Sequence, residues 1–113
     1  MWLKKRMKEW KFRVGTWNVG TLTGKLREIT DVMERRKIGV LCMQETRWKG
    51  KGTREVGNGF KLYYCGAHLG RNGVGVIVSP ALKDKVVEVK RVSDKMIVVV
   101  MLGGECIVHF VSA

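Results

Sequence analysis

A chain of 113 residues has room for one domain, and folding at that size hides only about two-thirds of the unfolded surface. Hydrophobic residues make up 45% of it and are spread along its length, which excludes a disordered or low-complexity chain and requires a packed core. Twenty-two Lys and Arg against ten Asp and Glu leave a net charge of +12, which favours a polyanionic partner, nucleic acid before an anionic membrane, over a merely passive basic surface.

The opening MWLKKRMKEWKFR sets Trp2, Leu3, Met7 and Trp10 at near-helical spacing among Lys4, Lys5, Arg6, Lys8, Lys11 and Arg13. Residues 1–11 read as a basic leader: a frayed tail, a nuclear-targeting or nucleic-acid-binding arm, or a helix lying on a membrane surface. They hold no apolar signal core, so a nuclear or cytoplasmic protein that is not secreted is expected.

The folded part is expected over residues 12–113. FRVGTWN, residues 12–18, reads as a strand. The Gly-containing loop VGTLTG follows and opens a helix from about Lys25 to Arg36. Leu26, Ile29 and Met33 form the inner stripe of that helix, and Lys25, Arg27, Glu28, Glu34 and Arg35 face water. Ile38 to Met43 then gives five apolar side chains and a Gly with no polar alternation, as expected of a strand covered on both faces. Strand, helix, strand in this order makes a crossover unit, with the two strands parallel and their carboxyl ends on one side. Those ends carry Asn18 and Glu45, where open α/β sheets place their ligands.

WKGKGTREVGNG, residues 48–59, reads as a basic Gly-rich loop. Beyond it come short strands at Phe60–Cys65, Gly73–Val78, Lys85–Val92, Met96–Leu102 and Glu105–Val111. The turns Arg71-Asn72-Gly73 and Leu102-Gly103-Gly104 and the short gaps favour antiparallel pairing. Cys42, Cys65 and Cys106 lie in apolar or aromatic stretches without the close spacing of a zinc or redox motif, so buried, reduced thiols are expected. The longest apolar run, Met96–Leu102, is far too short to cross a bilayer.

An ionised Glu45 offers the hard oxygen ligands that magnesium prefers, and magnesium sites in phosphate chemistry often use one or two protein carboxylates. The plainer role is a solvated Glu just past a strand. Asn18 can donate to a phosphate oxygen or orient a carboxylate, or can simply serve a turn. Together at adjacent strand ends the two point more specifically to a site. His109 falls within a strand and His68 in a loop, each read as structural or solvated, and neither Asp31, Asp84 nor Asp94 can be paired with Glu45 from spacing.

GTWNVGTLTGK, EITDVMERRKIGVLCMQETRW, GFKLYYCG, RNGVGVIV and RVSDKMIVV together resemble the endonuclease/exonuclease/phosphatase superfamily, the exonuclease III or DNase I-like fold. More narrowly they resemble the endonuclease domain of non-LTR retrotransposons and the craniofacial development protein 2-like sequences related to them. The resemblance spans residues 12–113. It implies an α/β fold, the N-terminal half of a four-layer α/β sandwich that hydrolyses phosphodiesters with magnesium, or manganese, at the carboxyl ends of its strands. Glu45 matches the family's metal-binding Glu, Asn18 the active-site Asn beside it, and Tyr63 or Tyr64 an aromatic position near substrate. Lys95 stands where relatives carry an Arg near the nucleic acid; it keeps the charge and loses the bidentate fork. Gly20 stands where abasic-site enzymes have an Asp, which points to the retrotransposon-like branch.

The strand IVHFVSA resembles the one leading into the family's Tyr-Ala-Pro segment, and the family's later Asp, Asn and Asp-His motifs fall beyond it. The resemblance therefore implies a partial magnesium-dependent endonuclease domain, inactive alone, with DNA or else RNA as its partner and no membrane. Arg47, Lys49, Arg71 and Lys95 would contact the nucleic-acid backbone. A non-catalytic basic nucleic-acid-binding module and a phosphatase of the same superfamily are the alternatives. Half a sandwich would also leave an apolar sheet face open to association, with Met96–Met101 and Ile107–Val111 the segments at issue.

Overall fold

A computed structural model describes residues 2–7, 10–67, 70–103 and 106–113, with side chains from Phe12 onward except that of Cys106. His68 and Glu105 lie outside the described residues. The elements are β1 (Trp2–Met7), β2 (Trp10–Asn18), α1 (Leu26–Arg36), β3 (Ile38–Gln44), β4 (Lys51–Val56), β5 (Phe60–Cys65), β6 (Val74–Val78), β7 (Val86–Ser93), β8 (Met96–Gly103) and β9 (Cys106–Ser112). They form a six-stranded sheet in the order β1-β2-β3-β6-β5-β4 and a three-stranded sheet in the order β7-β8-β9. The result is a mixed, sheet-dominated α/β fold with one α-helix among the described residues.

The crossover forms as its pattern requires. β2 and β3 are parallel, and α1 returns the chain between them. Ile29 and Met33 are completely buried on the inner face of α1, each contributing about 2 kcal/mol of burial energy. The helix stops at Lys37, which takes the left-handed conformation while its N–H donates back to the Glu34 and Met33 carbonyls.

β3 is buried on both faces, and its alternation divides the core in two. Leu41 and Met43 join Leu22, Ile29, Met33, Leu62 and Ile77 under the helix. Val40 and Cys42 face the second sheet and join Val76, Ile97, Val99, Met101 and Phe110. Gly39 is required by this packing, since a Cβ there would lie 2.6 Å from Leu82 Cδ1 and 2.9 Å from Phe12 Cβ.

Three expectations change. Residues 2–7 form a strand antiparallel to β2, not a helix or a frayed tail, so the sheet extends into the basic leader. Residues 51–56, expected in a loop, form β4 along the edge of the six-stranded sheet. An edge strand needs no apolar alternation, and β4 exposes Thr53 and the charged Lys51, Arg54 and Glu55, side chains that suit an edge. Finally, the expectation for the second sheet holds only in part: Met96, Ile107 and Val111 are exposed as expected, with Val87, Val92 and Leu102 beside them, but Ile97, Val99 and Met101 of the same segments are buried between the sheets.

Candidate active site

The parallel register sets Asn18 beside Gln44 at the ends of β2 and β3, one residue before Glu45. The chain beyond β2 stays attached to the chain beyond β3. Val19 N–H donates to the Gln44 carbonyl at 3.0 Å, and Leu22 N–H to the Thr46 carbonyl at 2.9 Å. Asn18 Oδ1 accepts from Gly20 N–H at 3.2 Å, the local turn bond its residue type favours.

β6 runs antiparallel to β3, so the start of β6 meets the end of β3. Thr46 N–H donates to the Gly73 carbonyl at 3.1 Å and Arg47 N–H to the Asn72 carbonyl at 2.7 Å. Gly73, at φ +94°, is required here because a Cβ would overlap the fully buried Thr46 hydroxyl. The β7–β8 turn joins the same edge: Gly73 N–H donates to the Asp94 carbonyl at 2.9 Å, and Asn72 Nδ2 to Asp94 Oδ2 at 3.0 Å.

These loops enclose a cleft of about 440 Å³ lined by Asn18, Gln44, Glu45, Asn72, Gly73, Val74, Asp94, Lys95 and Ala113. Asn18, Glu45 and Lys95, separated widely in sequence, therefore share one cavity. Arg47, Lys49 and Arg71 stand exposed on the adjoining loops and do not line it. Gln44, Asn72 and Asp94 also line it; the first two were not proposed from sequence, and Asp94 was named there as an acid that spacing could not pair with Glu45. Only the turn Arg71-Asn72-Gly73 marked Asn72, and the approach of Asn72 and Asp94 to Glu45 depends on antiparallel neighbours that spacing does not reveal.

Two features show how firmly the cleft is built. Among described residues, four non-glycines have positive φ, and apart from the helix-capping Lys37 they are Glu45 (59°), Arg47 (59°) and Asn72 (56°). Each left-handed residue costs on the order of 1 kcal/mol or more, and such strain gathers at functional sites where surrounding contacts enforce it. Those contacts include a polar link beneath the cleft: buried Ser112 Oγ donates to the Met43 carbonyl at 2.7 Å and accepts from Gln44 Nε2 at 3.1 Å. The amide of Gln44 also reaches Thr16 Oγ1 at 3.2 Å, so both sheets fix the residue before Glu45.

The donor set suits a hard divalent cation. Glu45 and Asp94 offer carboxylate oxygens and Asn18, Gln44 and Asn72 amide groups, and magnesium needs few protein ligands because it retains water. Among described residues no group of three His, Cys, Asp or Glu side chains is arranged to hold a metal. Cys42 and Cys65 are free and buried, and burial pushes the Cys42 thiol up to about 11. Tyr63 is buried between the sheets, which raises its pKa against the opposing pull of the Arg91 guanidinium; Tyr64 is partly exposed on the helix side. No helix is long and apolar enough to cross a membrane among the described residues.

An α-helix, the one among the described residues, over a mixed sheet, a second sheet behind it, and a carboxylate cleft at the strand ends define the class. Residues 15–106 match the endonuclease/exonuclease/phosphatase family, and the chain belongs to it. Craniofacial development protein 2 of Bos taurus is 35% identical over 95 residues, which are 82% of this chain and 16% of that protein. The Tragulus javanicus protein of the same name is 34% identical over 89 residues, 77% of this chain and 15% of its own length. The chain thus spans about one-sixth of the curated relatives it matches. An AP endonuclease from Archaeoglobus fulgidus shares the fold, with a TM-score of 0.59 over 81% of this chain and 38% of that one, at 22% identity.

Proposed function

We propose that this chain forms the metal-binding and phosphate-contacting part of a magnesium-dependent phosphodiesterase domain of retrotransposon descent, with DNA as its substrate. RNA is the second candidate substrate and manganese the second candidate metal. The observation that carries the reading is the cleft itself, where Glu45, held in a strained conformation by both sheets, faces Asn18, Asp94 and Lys95.

Glu45 and Asp94 would hold the cation, which when bound polarises the phosphate. Asn18 would orient the phosphate or the Glu45 carboxylate, and Lys95 would balance the phosphate charge at the rim. Arg47, Lys49 and Arg71 would follow the backbone away from the cleft. Phosphodiester hydrolysis also needs an aligned, deprotonated water and stabilisation of the pentacovalent charge, for which these residues supply no general base. The 113-residue chain alone is therefore expected to bind and not to cut, in the nucleus or cytoplasm. The exposed apolar positions on the second sheet would support self-association.

The test is supercoiled plasmid with magnesium, which the purified chain should leave intact. Nicking lost in Glu45→Ala would contradict the inactivity and keep the site; nicking undiminished in Glu45→Ala would contradict the site. A second reading, a basic nucleic-acid-binding module without catalysis, is favoured by the net charge of +12. Its binding would fall steeply with salt and ignore both magnesium and Glu45→Ala.

A further inference from the structure

Next to the cleft, on the helix side of the sheet, lies an aromatic and cationic cluster with no part in the chemistry above. The Trp48 ring meets the edge of Tyr64 at 5.1 Å between centroids and 85° between planes, and the Arg54 guanidinium sits 4.8 Å from the centroid of the Trp48 ring. Trp48 and Tyr64 are both partly exposed. The segment from Thr46 to Arg54 carries Arg47, Lys49, Lys51 and Arg54 and no acid. Among described residues none of these four cations is in an ion pair, and the one acid on β4, Glu55, is engaged by Lys83 at 3.7 Å.

A surface in which unpaired cations flank a fixed aromatic pair matches the chemistry of an unpaired stretch of nucleic acid. Bases stack on aromatic or guanidinium planes, and phosphates follow the flanking charges. A base-paired duplex gains little from such a plane because its bases are already stacked. The plane is held in place from below. Trp48 N–H donates to the hydroxyl of buried Thr46 at 3.5 Å, and a Cβ at Gly66 would overlap the Trp48 carbonyl. From the opposite face Arg91 fixes the strand beneath, donating to the Gly52 carbonyl at 2.6 Å, Thr53 Oγ1 at 2.8 Å and the Tyr64 carbonyl at 3.1 Å.

We infer that Trp48, Tyr64 and Arg54 form a stacking site for an unpaired nucleobase, with Arg47, Lys49 and Lys51 contacting the adjoining phosphates. The inference rests on the nucleic-acid reading of the neighbouring cleft and specifies its substrate as one with a single-stranded segment beside the phosphate that enters the cleft.

The experiment measures binding of the full 113-residue chain to a labelled oligothymidylate and to a duplex of equal length, in EDTA, by fluorescence anisotropy across a salt series. Trp48→Ala should weaken single-strand binding about tenfold or more and duplex binding by less than about threefold, with the salt slope unchanged. Trp48→Phe should keep most of the affinity. Lys51→Ala should weaken both and lower the salt slope by about one. Arg54→Ala, which leaves the indole seated on Tyr64, should also weaken the single strand selectively, so the result does not depend on Trp48→Ala alone. Equal losses on both substrates, or none on the single strand, would overturn the stacking site. A wild-type chain that binds duplex and not single strand would overturn it while leaving the cleft reading in place. Binding to neither in EDTA would overturn the stacking site, and binding to neither with magnesium restored would overturn the cleft reading as well.

Discussion

Glu45 takes a conformation its side chain disfavours, and this separates its structural cost from its chemical use. Glycine accepts a φ of 59° without steric cost, so Glu45→Gly is expected to leave the chain at least as stable as wild type, by up to about 1 kcal/mol in urea unfolding. The same variant should lose cation binding, whereas a residue needed only for packing would lose stability on substitution. Cys42 provides the pH-dependent case. Its thiol titrates near 9 when unfolded and at about 11 when folded, so the folded chain binds more protons between these values. Its contribution is complete below pH 9 and is lost as pH rises toward 11, so wild type should lose stability relative to Cys42→Ala over that window, as followed by urea midpoints. Glu45 and Asn18 were legible in the sequence because the apolar run before Glu45 announces a strand end. Asp94 was not, because it reaches the cleft through a bond from Asn72, across 22 residues of sequence.

Among the elements, those with a regular apolar pattern could be read in advance. Leu26, Ile29 and Met33 mark α1, and Ile38 to Met43 marks β3, because each buries its pattern against a neighbour. β4 lies at a sheet edge and has no such pattern. Its place is set by backbone pairing with β5 and by Arg91, whose guanidinium crosses from the second sheet to the Gly52 carbonyl and Thr53 hydroxyl. Residues 2–7 misled for a related reason: pairing with β2 gives them a strand partner that apolar spacing does not reveal. Replacing Arg91 with Ala should therefore loosen one edge and not the core. Amide exchange in β4 should rise markedly while β3 and β6, buried at the centre, keep their protection; uniform acceleration would show that Arg91 supports the whole fold.

At the scale of the whole molecule, the helix and two sheets gather the cleft residues along one edge. The strand ends supply Asn18 and Glu45, the antiparallel β6 returns Asn72 and Gly73 to them, and the β7–β8 turn adds Asp94 and Lys95. The surrounding loops carry the exposed Arg47, Lys49 and Arg71 on a chain of net charge +12, an arrangement suited to a polyanion approaching that edge. The central claim is that this edge holds a hard divalent cation through Glu45. It is tested most directly by titrating the isotopically labelled chain with magnesium, and with manganese as a paramagnetic reporter, while following backbone amide resonances. The expected result is saturable change confined to residues around Glu45, Gly73 and Asp94, abolished in Glu45→Gln. Changes centred elsewhere, or equally strong in Glu45→Gln, would contradict it.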